Sequence, residues 1–237
     1  MAITYQGDTE YYAKYIPHDN GFMEGSTHQY LSDLVGSERN HTAPLAWRYN
    51  VLDGELIFVE SCGDSFEEYP RLSRELLPIA RQLVEGVDFM HEKHIRHNDL
   101  NLSNVAIHKG TGRVSILDFG FALDCRKNAD ADIVDGRFVG TQGWTAPEVG
   151  SGKRYSALLA DVWAVGKIIA KTCELCGDDV PDREFLIQLS TRLMADNPKD
   201  RPLLAEVFHE IDVHINEANG VCSALVVSSS PSCTSTP

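Results

Sequence analysis

The sequence predicts an α+β fold in which a small strand-rich part precedes a larger, mainly helical part. The first observation is a change in hydrophobic period near residue 70, where short apolar runs give way to apolar residues spaced three and four apart. The second is composition: 43% hydrophobic and 24% charged residues in a chain of 237 are typical of a globular protein with a sizeable core. A cleft between the two parts is the expected place for a ligand.

Strands and one short helix are predicted before residue 70. The segments 11–16 and 56–59 are short apolar runs next to turn residues, as in strands. The segment ITYQGDTEYYAKYI at 3–16 is read as a hairpin that leads into the first of these strands. Between the two strands, residues 28–35 place leucine and valine at helical spacing, which predicts a helix.

The helical part begins with a long amphipathic helix. Residues 76–90 repeat apolar side chains at intervals of three and four. A hairpin over 105–107 and 114–117 follows. Three further helices are then predicted from the same periodicity, at roughly 157–175, 183–195 and 203–215.

Charge and targeting signals exclude several classes of partner and place. The net charge of −14 opposes binding to phosphate backbones and anionic membranes, so neither nucleic acid nor membrane is an expected partner. The start of the chain has no signal-peptide pattern, and no apolar run approaches the roughly 20 residues of a spanning helix. Six cysteines without a secretory signal indicate a reduced compartment, cytoplasmic with the nucleus as the alternative. The sequence leaves the oligomeric state open.

Three polar residues flank the predicted hairpin. Asp99 and Asn104 precede its first strand, and Asp118 follows its second strand. Because strands 105–107 and 114–117 pair across a tight turn, we expect these side chains to converge at one end. The oxygens of Asn104 and Asp118 suit Mg²⁺, which itself prefers to bridge phosphates. Asp99 is placed to accept a proton from a nucleophilic hydroxyl.

The motifs around these residues resemble those of the eukaryotic-type protein kinases. HNDLNLSN at 97–104 resembles the catalytic loop, and DFG at 118–120 resembles the magnesium-binding motif. GTQGWTAPE at 140–148 resembles the segment that ends in A-P-E. DVWAVG at 161–166 resembles the D-x-W-x-x-G of the central helix, and Arg201 matches the arginine that pairs with the A-P-E glutamate. The motifs occur in the order of the family, which makes the resemblance specific.

The resemblance covers residues 4–208 and implies a bilobal fold. The N-lobe, at about 1–62, would be a truncated small antiparallel β-sheet, and the C-lobe, at about 63–217, would be larger and mainly α-helical. The protein kinase domain would then occupy 1–217. Residues 218–237 are rich in serine and threonine and carry no charged side chain, so they are predicted to form a disordered tail.

The same resemblance implies a set of site residues, with ATP and Mg²⁺ as cofactors and a protein as substrate. The residues that would bind ATP are Lys14, Glu24, Glu60, Cys62 and Asp118. The residues that would bind the metal are Asn104 and Asp118, and the catalytic residues would be Asp99, Asn101 and Thr141. In this scheme Glu24 is the helix partner of Lys14, and Glu60 and Cys62 lie at the hinge that holds adenine.

Departures from the family pattern leave two functions open. The chain begins at what resembles the second strand and contains no G-x-G-x-x-G, so the lid over the ATP phosphates is either absent or encoded upstream. Asn98 replaces the arginine of the catalytic loop, and Asn101 replaces the lysine that contacts the transferred phosphate. Transfer of the ATP γ-phosphate to Ser/Thr hydroxyls of proteins is the expected function, favoured by Thr141. The alternative is a pseudokinase, a weak or inactive interaction scaffold.

Control by phosphorylation is not expected in the segment 121–140. This segment contains no serine, threonine or tyrosine. Asn98 stands at the position where many members of the family have the arginine that binds the phosphate. Local ion pairs within the segment are expected to order it instead, with its acidic residues otherwise facing solvent. The residues proposed for these pairs are Asp130, Asp132 and Asp135 with Arg126, Lys127 and Arg137.

Overall fold

The computed structural model describes residues 2–17, 24–34, 36–65, 75–108, 110–128, 132–176 and 181–218. The predicted tail, apart from Ala218, lies outside the described residues, so its disorder and the domain limit near 217 stay predictions. The expected α+β class is confirmed: a four-stranded antiparallel sheet with one helix precedes a mainly helical part.

The N-terminal sheet contains β1 (Ala2–Gln6), β2 (Thr9–Pro17), β3 (Leu45–Val51) and β4 (Gly54–Glu60), in the order β1-β2-β4-β3. The predicted strands and N-terminal hairpin are confirmed, since β1 pairs antiparallel with β2 and β2 with β4. No strand was predicted at β3. Its second half, residues 48–51, is exposed on both faces of the strand, so buried and exposed residues do not alternate there.

The helix α1 (Glu24–Asp33) begins four residues before its predicted start at His28 and ends before Leu34. Its first turn, Glu-Gly-Ser-Thr, has no apolar periodicity and therefore gave no helical signal. Val35 lies outside the described residues. The early start matters because it places Glu24 on the helix, one turn before His28.

The remaining helices and short strands form the C-terminal part. The helices are α2 (Leu76–Glu92), α3 (Ala157–Cys176), α4 (Arg183–Leu193) and α5 (Leu204–Ala218), close to the predicted bounds. The strands are β5 (Asp64–Ser65), β6 (Ile95–Arg96), β7 (Val105–Ile107), β8 (Val114–Ile116), β9 (Leu123–Asp124), β10 (Ile133–Val134) and β11 (Tyr155–Ser156). None of the helices in these described stretches is long and apolar enough to cross a bilayer.

The main core lies around α2, whose apolar stripe faces α3, α5 and the β7–β8 hairpin. Leu83, Val84, Val87 and Met90 of α2 are at most 1% exposed. Complete burial of such side chains stabilises the fold by about 1.5–3 kcal/mol each. The core fixes the hairpin against α2 and thereby fixes the loops at the end of the hairpin.

The predicted hairpin of β7 and β8 is confirmed. Val105 pairs with Ile116, and Ile107 pairs with Val114. Just beyond the last pair, the amide of Leu117 donates to the carbonyl of Asn104 at 2.9 Å. The residues before β7 and after β8 therefore lie side by side, as the sequence predicted.

The pairs predicted within the segment 121–140 are wrong wherever the structure describes them. Arg126 pairs with Asp124, Asp135 with Arg154, and Asp132 with Arg96. Asp132 also does not face solvent, since its side chain is 19% exposed. The true partners of Asp132 and Asp135 lie outside the segment, which sequence proximity could not indicate. Asp130 lies outside the described residues.

Candidate active site

Lys14 joins two carboxylates from distant parts of the chain. The Lys14 Nζ lies 2.9 Å from Glu24 Oε1 and 2.7 Å from Asp118 Oδ1. Strand β2 presents the lysine, the first residue of α1 presents Glu24, and Asp118 follows the β7–β8 hairpin. The sequence singled out all three residues, and the structure brings them together.

Burial and hydrogen bonds set the charges of this trio. Burial alone would raise the pKa of Asp118, but hydrogen bonds from Lys14 and from the Gly120 amide leave it below its usual value. Burial raises the pKa of Glu24, although Lys14 opposes the effect. Burial would lower the pKa of Lys14, but its bonds to both carboxylates raise it overall. At neutral pH Lys14 is therefore a cation held in place beside ionised Asp118.

The trio opens into a cleft of about 320 Å³ between the N-terminal sheet and the β7–β8 hairpin. This volume falls in the range of about 300–1,000 Å³ that is typical of small-molecule sites. The lining combines apolar and polar side chains. The cleft is lined by Tyr12, Lys14, Glu24, His28, Ile57, Val59, Glu60, Cys62, Gly63, Ser103, Asn104, Ala106, Leu117 and Asp118.

Six residues of the cleft were named from the sequence, and three polar ones were missed. Tyr12 shares a face of β2 with Lys14 because the two are two residues apart, and His28 lies one helical turn after Glu24. These spacings are the signals that could have found them. Ser103 gave no comparable signal.

The end of the cleft formed by Glu60 and Cys62 offers backbone groups and a neutral thiol. The Cys62 Sγ donates to the Glu60 carbonyl at 3.2 Å. Burial raises the pKa of the Cys62 thiol, so the thiolate is disfavoured. The predicted hinge residues thus lie in the cleft, and their assignment to adenine stays a prediction.

Asp99 lies beside the cleft and accepts hydrogen bonds from Asn104 and Thr141. The Thr141 hydroxyl donates to Asp99 Oδ1 at 2.7 Å. The Asn104 amide nitrogen donates to the Asp99 carbonyl at 2.8 Å and to Oδ2 at 3.2 Å. The structure thus brings Asp99 and Asn104 together, as predicted, and places Thr141 beside Asp99; the chemical roles of all three stay predictions.

The side chain of Asn101 is engaged within the loop that carries Asp99. It is 5% exposed and does not line the cleft. Its amide oxygen accepts from the amides of Ser103 and Asn104, which caps the 3₁₀ turn 102–104. Its amide nitrogen donates to the Asp99 carbonyl at 3.0 Å. Asn101 therefore shapes the loop that presents Asp99, and contact with a phosphate stays an untested prediction.

The buried side chains of Asp161 and His97 hold the same loop from the core side. The carboxylate of Asp161, 1% exposed, accepts from the amides of His97 and Asn98 at 2.7 and 2.8 Å. The His97 ring donates to the Leu117 carbonyl at 2.9 Å and packs against Phe119, ring centroids 5.5 Å apart. These contacts agree with a scaffolding role for His97 and Asp161.

Arg201 and Glu148 form the ion pair expected from the motifs. The guanidinium, whose side chain is fully buried, donates to both carboxylate oxygens at 2.5 and 2.9 Å. It also donates to the carbonyls of Ala195 and Leu159. This bidentate pair ties the segment after Thr141 to the chain before α5.

The donor set suits a magnesium-bound nucleotide. Asp118 offers an ionised carboxylate, and Asn104 offers an amide oxygen, because its amide nitrogen is engaged by Asp99. Such hard oxygen ligands are those that Mg²⁺ takes together with substrate phosphates. Lys14 supplies a cation in the same cleft for a phosphate oxygen.

Known proteins with similar sequences are protein kinases. Serine/threonine-protein kinase CLA4 of Eremothecium gossypii is 36% identical over 46% of this chain and 13% of its own length. Mitogen-activated protein kinase kinase kinase 1b of Physcomitrium patens is 24% identical over 93% of this chain and 26% of its own length. For the alpha subunit of the inhibitor of nuclear factor kappa-B kinase of Danio rerio, the identity is 28% over 64% of this chain and 20% of its own length.

The chain therefore spans about a quarter or less of the length of these relatives. The sequence model of the protein kinase domain matches residues 28–180, which is more than half of the chain. Together with the order of the motifs and the α+β architecture, this match shows that the chain belongs to the protein kinase family.

Proposed function

We propose that the protein is an ATP-dependent kinase that transfers the γ-phosphate to serine or threonine hydroxyls of protein substrates. The observation that carries the proposal is the joining of Lys14, Glu24 and Asp118 at the mouth of one cleft. The serine/threonine class is supported by Thr141, which donates to Asp99, and by the relative CLA4, which is named a serine/threonine-protein kinase.

The geometry supports a division of labour among these residues. Lys14, held by Glu24, would bind phosphate oxygens, while Asp118 and Asn104 would hold Mg²⁺. The metal, when bound, neutralises charge that develops on the β- and γ-phosphates. Asp99 would orient the substrate hydroxyl and accept its proton while the hydroxyl oxygen bonds to the γ-phosphorus and the bond from that phosphorus to the bridging oxygen breaks, which releases ADP. Thr141 and Asn104 keep the Asp99 carboxylate in one orientation.

One observation favours the pseudokinase as a second candidate. Asn101 supplies no cation to the transferred phosphate, and both ends of its amide are engaged within the loop. Loss of one preorganised donor typically costs on the order of 2.7–4 kcal/mol of transition-state stabilisation. A nucleotide-binding protein with little transfer activity is the form that this candidate takes.

Thermal unfolding with ATP, with and without Mg²⁺, followed by labelling with γ-labelled ATP, separates the two candidates. An active kinase shows a Mg²⁺-dependent rise in Tm and label on protein hydroxyls. The Lys14→Met variant, which removes the cation from the cleft, is the control and shows neither. A rise in Tm without label favours the nucleotide-binding pseudokinase. The absence of both the rise in Tm and the label rejects the kinase.

The partner and place of action follow as proposals. A protein substrate is proposed from membership of the family. A reduced, cytoplasmic location is proposed because the described cysteines 62, 125, 173 and 176 are free thiols.

A further inference from the structure

A buried ion pair outside the cleft joins the segment after Asp118 to the strand before the catalytic loop. Arg96 of β6 directly precedes His97, and its Nε donates to Asp132 Oδ1 at 2.8 Å. Both side chains are largely buried, 8% and 19% exposed. The Nη1 atom of Arg96 donates to the His91 carbonyl, near the end of α2, at 3.0 Å. Arg96 is therefore anchored in the core and presents a fixed cation to Asp132.

Asp132 also caps α3. Its Oδ1 accepts from the amide of Leu158 at 3.0 Å, and its Oδ2 accepts from the hydroxyl of Ser156 at 2.6 Å. The amide of Leu158 lies in the first turn of α3, where the backbone N–H groups have no partner within the helix. A carboxylate at this position satisfies such a donor and interacts favourably with the helix dipole.

The segment beyond Asp132 is held between this anchor and the catalytic loop. Directly after Asp132, β10 pairs with β11. At the other end, the Cβ of any side chain at Gly140 would lie 2.6 Å from the Asn98 carbonyl, and Gly140 has φ +101°. Thr141 then donates to Asp99. The chain from 132 to 141 is thus fixed at its start by Asp132 and at its end against the catalytic loop.

We propose that Asp132 is a positioning residue that holds residues 132–140 in their working position against the catalytic loop without phosphorylation. This inference rests on the proposed kinase function. Asp132 supplies a built-in carboxylate for a buried arginine, α3 and Ser156 at once. The sequence between 121 and 140 has no hydroxyl side chain that could carry a phosphate instead. The segment is therefore constitutively ordered, and turnover needs no activating kinase for it.

The test compares Asp132→Asn with Asp135→Asn. Both variants neutralise one aspartate of the same segment, but Asp135 is 85% exposed and pairs only loosely with exposed Arg154 at 3.3 Å. Ser156→Ala, which removes one hydrogen bond to Asp132, is a milder variant in case Asp132→Asn does not fold. The first readout is hydrogen exchange of the amides at 132–141 in the full chain without nucleotide, which needs no catalytic activity.

We expect faster exchange at 132–141 in Asp132→Asn and Ser156→Ala, and exchange as in the wild type in Asp135→Asn. The second readout is kinetic: kcat falls roughly tenfold to hundredfold in Asp132→Asn because the misplaced segment no longer orients Asp99, while KM for ATP changes less than twofold. We also expect that phosphatase treatment leaves the kcat of the wild type unchanged.

Three results would overturn the inference. They are equal exchange in Asp132→Asn and Asp135→Asn, an unchanged kcat in a folded Asp132→Asn variant, and a large loss of wild-type activity on phosphatase treatment traced to this segment. Absence of any transfer by the wild type, with the exchange difference present, would reject the proposed function and leave the anchoring role of Asp132 standing.

Discussion

Lys14 lies within hydrogen-bond distance of two carboxylates that differ in charge preference. Asp118 is stabilised as an anion, whereas burial disfavours the ionised form of Glu24. The ammonium of Lys14 only partly offsets that cost, and its contact with Glu24 holds the lysine in the cleft. In the proposed kinase, Asp118 is then the carboxylate that would bind the metal.

The first prediction concerns Asp118→Asn. The amide keeps the size of the side chain but loses the negative charge that we propose binds Mg²⁺, so we expect transfer to fall by a factor of at least about 100. Labelled-phosphate transfer measures the effect, and far-UV circular dichroism checks that the fold persists. Turnover equal to that of the wild type would remove Asp118 from the site.

The second prediction concerns pH and His28. This buried ring donates to the Ala43 carbonyl at 2.7 Å and packs 4.8 Å from the Phe119 ring. Burial, the largest influence, lowers its pKa from 6.5 to about 4. Below pH 6.5 the unfolded histidine takes up a proton and the folded one does not, so stability falls as the pH drops toward 4. The full effect is about 3 kcal/mol.

Urea unfolding of wild type and His28→Gln at pH 7 and pH 4.5 measures this contribution. Glutamine keeps an amide donor for Ala43 but cannot titrate, so the variant loses less stability on acidification. Exposed His108→Gln serves as the control and follows the wild type. Parallel losses in wild type and His28→Gln would show that His28 does not carry the effect.

At the scale of elements, two close contacts fix the helical part. Helix α3 approaches α4 at Gly166, where an added Cβ would lie 2.7 Å from Leu193 Cβ and 3.0 Å from the Ser190 carbonyl oxygen. The second contact is the buried pair of Glu148 and Arg201. Each contact yields a stability prediction with a matched surface control.

The third prediction is that Gly166→Ala destabilises the protein by about 1–3 kcal/mol, because α3 and α4 must move apart. The sign is informative, since Gly→Ala in an open helix stabilises by up to about 1 kcal/mol. Glu174→Ala, exposed on the same helix, stays within about 0.5 kcal/mol of the wild type. Urea unfolding decides; a stabilised Gly166→Ala would contradict the packing.

The fourth prediction compares Glu148→Gln with Glu210→Gln by the same method. Removal of the charge at Glu148 leaves the fully buried Arg201 guanidinium without its counterion, which costs on the order of 3–5 kcal/mol. The pair of Glu210 with Arg192 is exposed, and its loss costs less than about 1 kcal/mol. Equal losses of stability in the two variants would contradict the prediction that the buried pair contributes more than the exposed pair.

Elements with strong periodicity were predictable, and those defined by distant contacts were not. The stripe of α2 and the β7–β8 hairpin are local patterns, so the sequence indicated them directly. Strand β3 is largely exposed and lacks alternation. The first turn of α1 lacks apolar periodicity, and its Glu24 contacts Lys14 in a different element. Asp132 pairs with Arg96, 36 residues earlier in the chain, a partner that no local pattern could indicate.

For the molecule as a whole, the cleft depends on both parts of the fold. The sheet supplies Lys14, α1 supplies Glu24, and the hairpin loops supply Asn104 and Asp118. The resemblance named all four residues, and Asn104 and Asp118 were also expected to converge because they flank the predictable β7–β8 hairpin. The relative placement of the parts came only from the tertiary structure. A ligand that contacts both parts stabilises the folded state by mass action.

The most direct test of the proposed kinase is γ-phosphate transfer from labelled ATP to a serine- or threonine-containing protein, wild type against Asp99→Asn. The proposed role of Asp99 predicts transfer by the wild type and a rate that is lower by roughly 100-fold or more in the variant, since general-base catalysis contributes about 10²–10⁴-fold. The Mg²⁺-dependent rise in Tm with ATP is expected to be the same in the wild type and in Asp99→Asn. Transfer by Asp99→Asn at the wild-type rate, or no transfer by the wild type, would contradict the account.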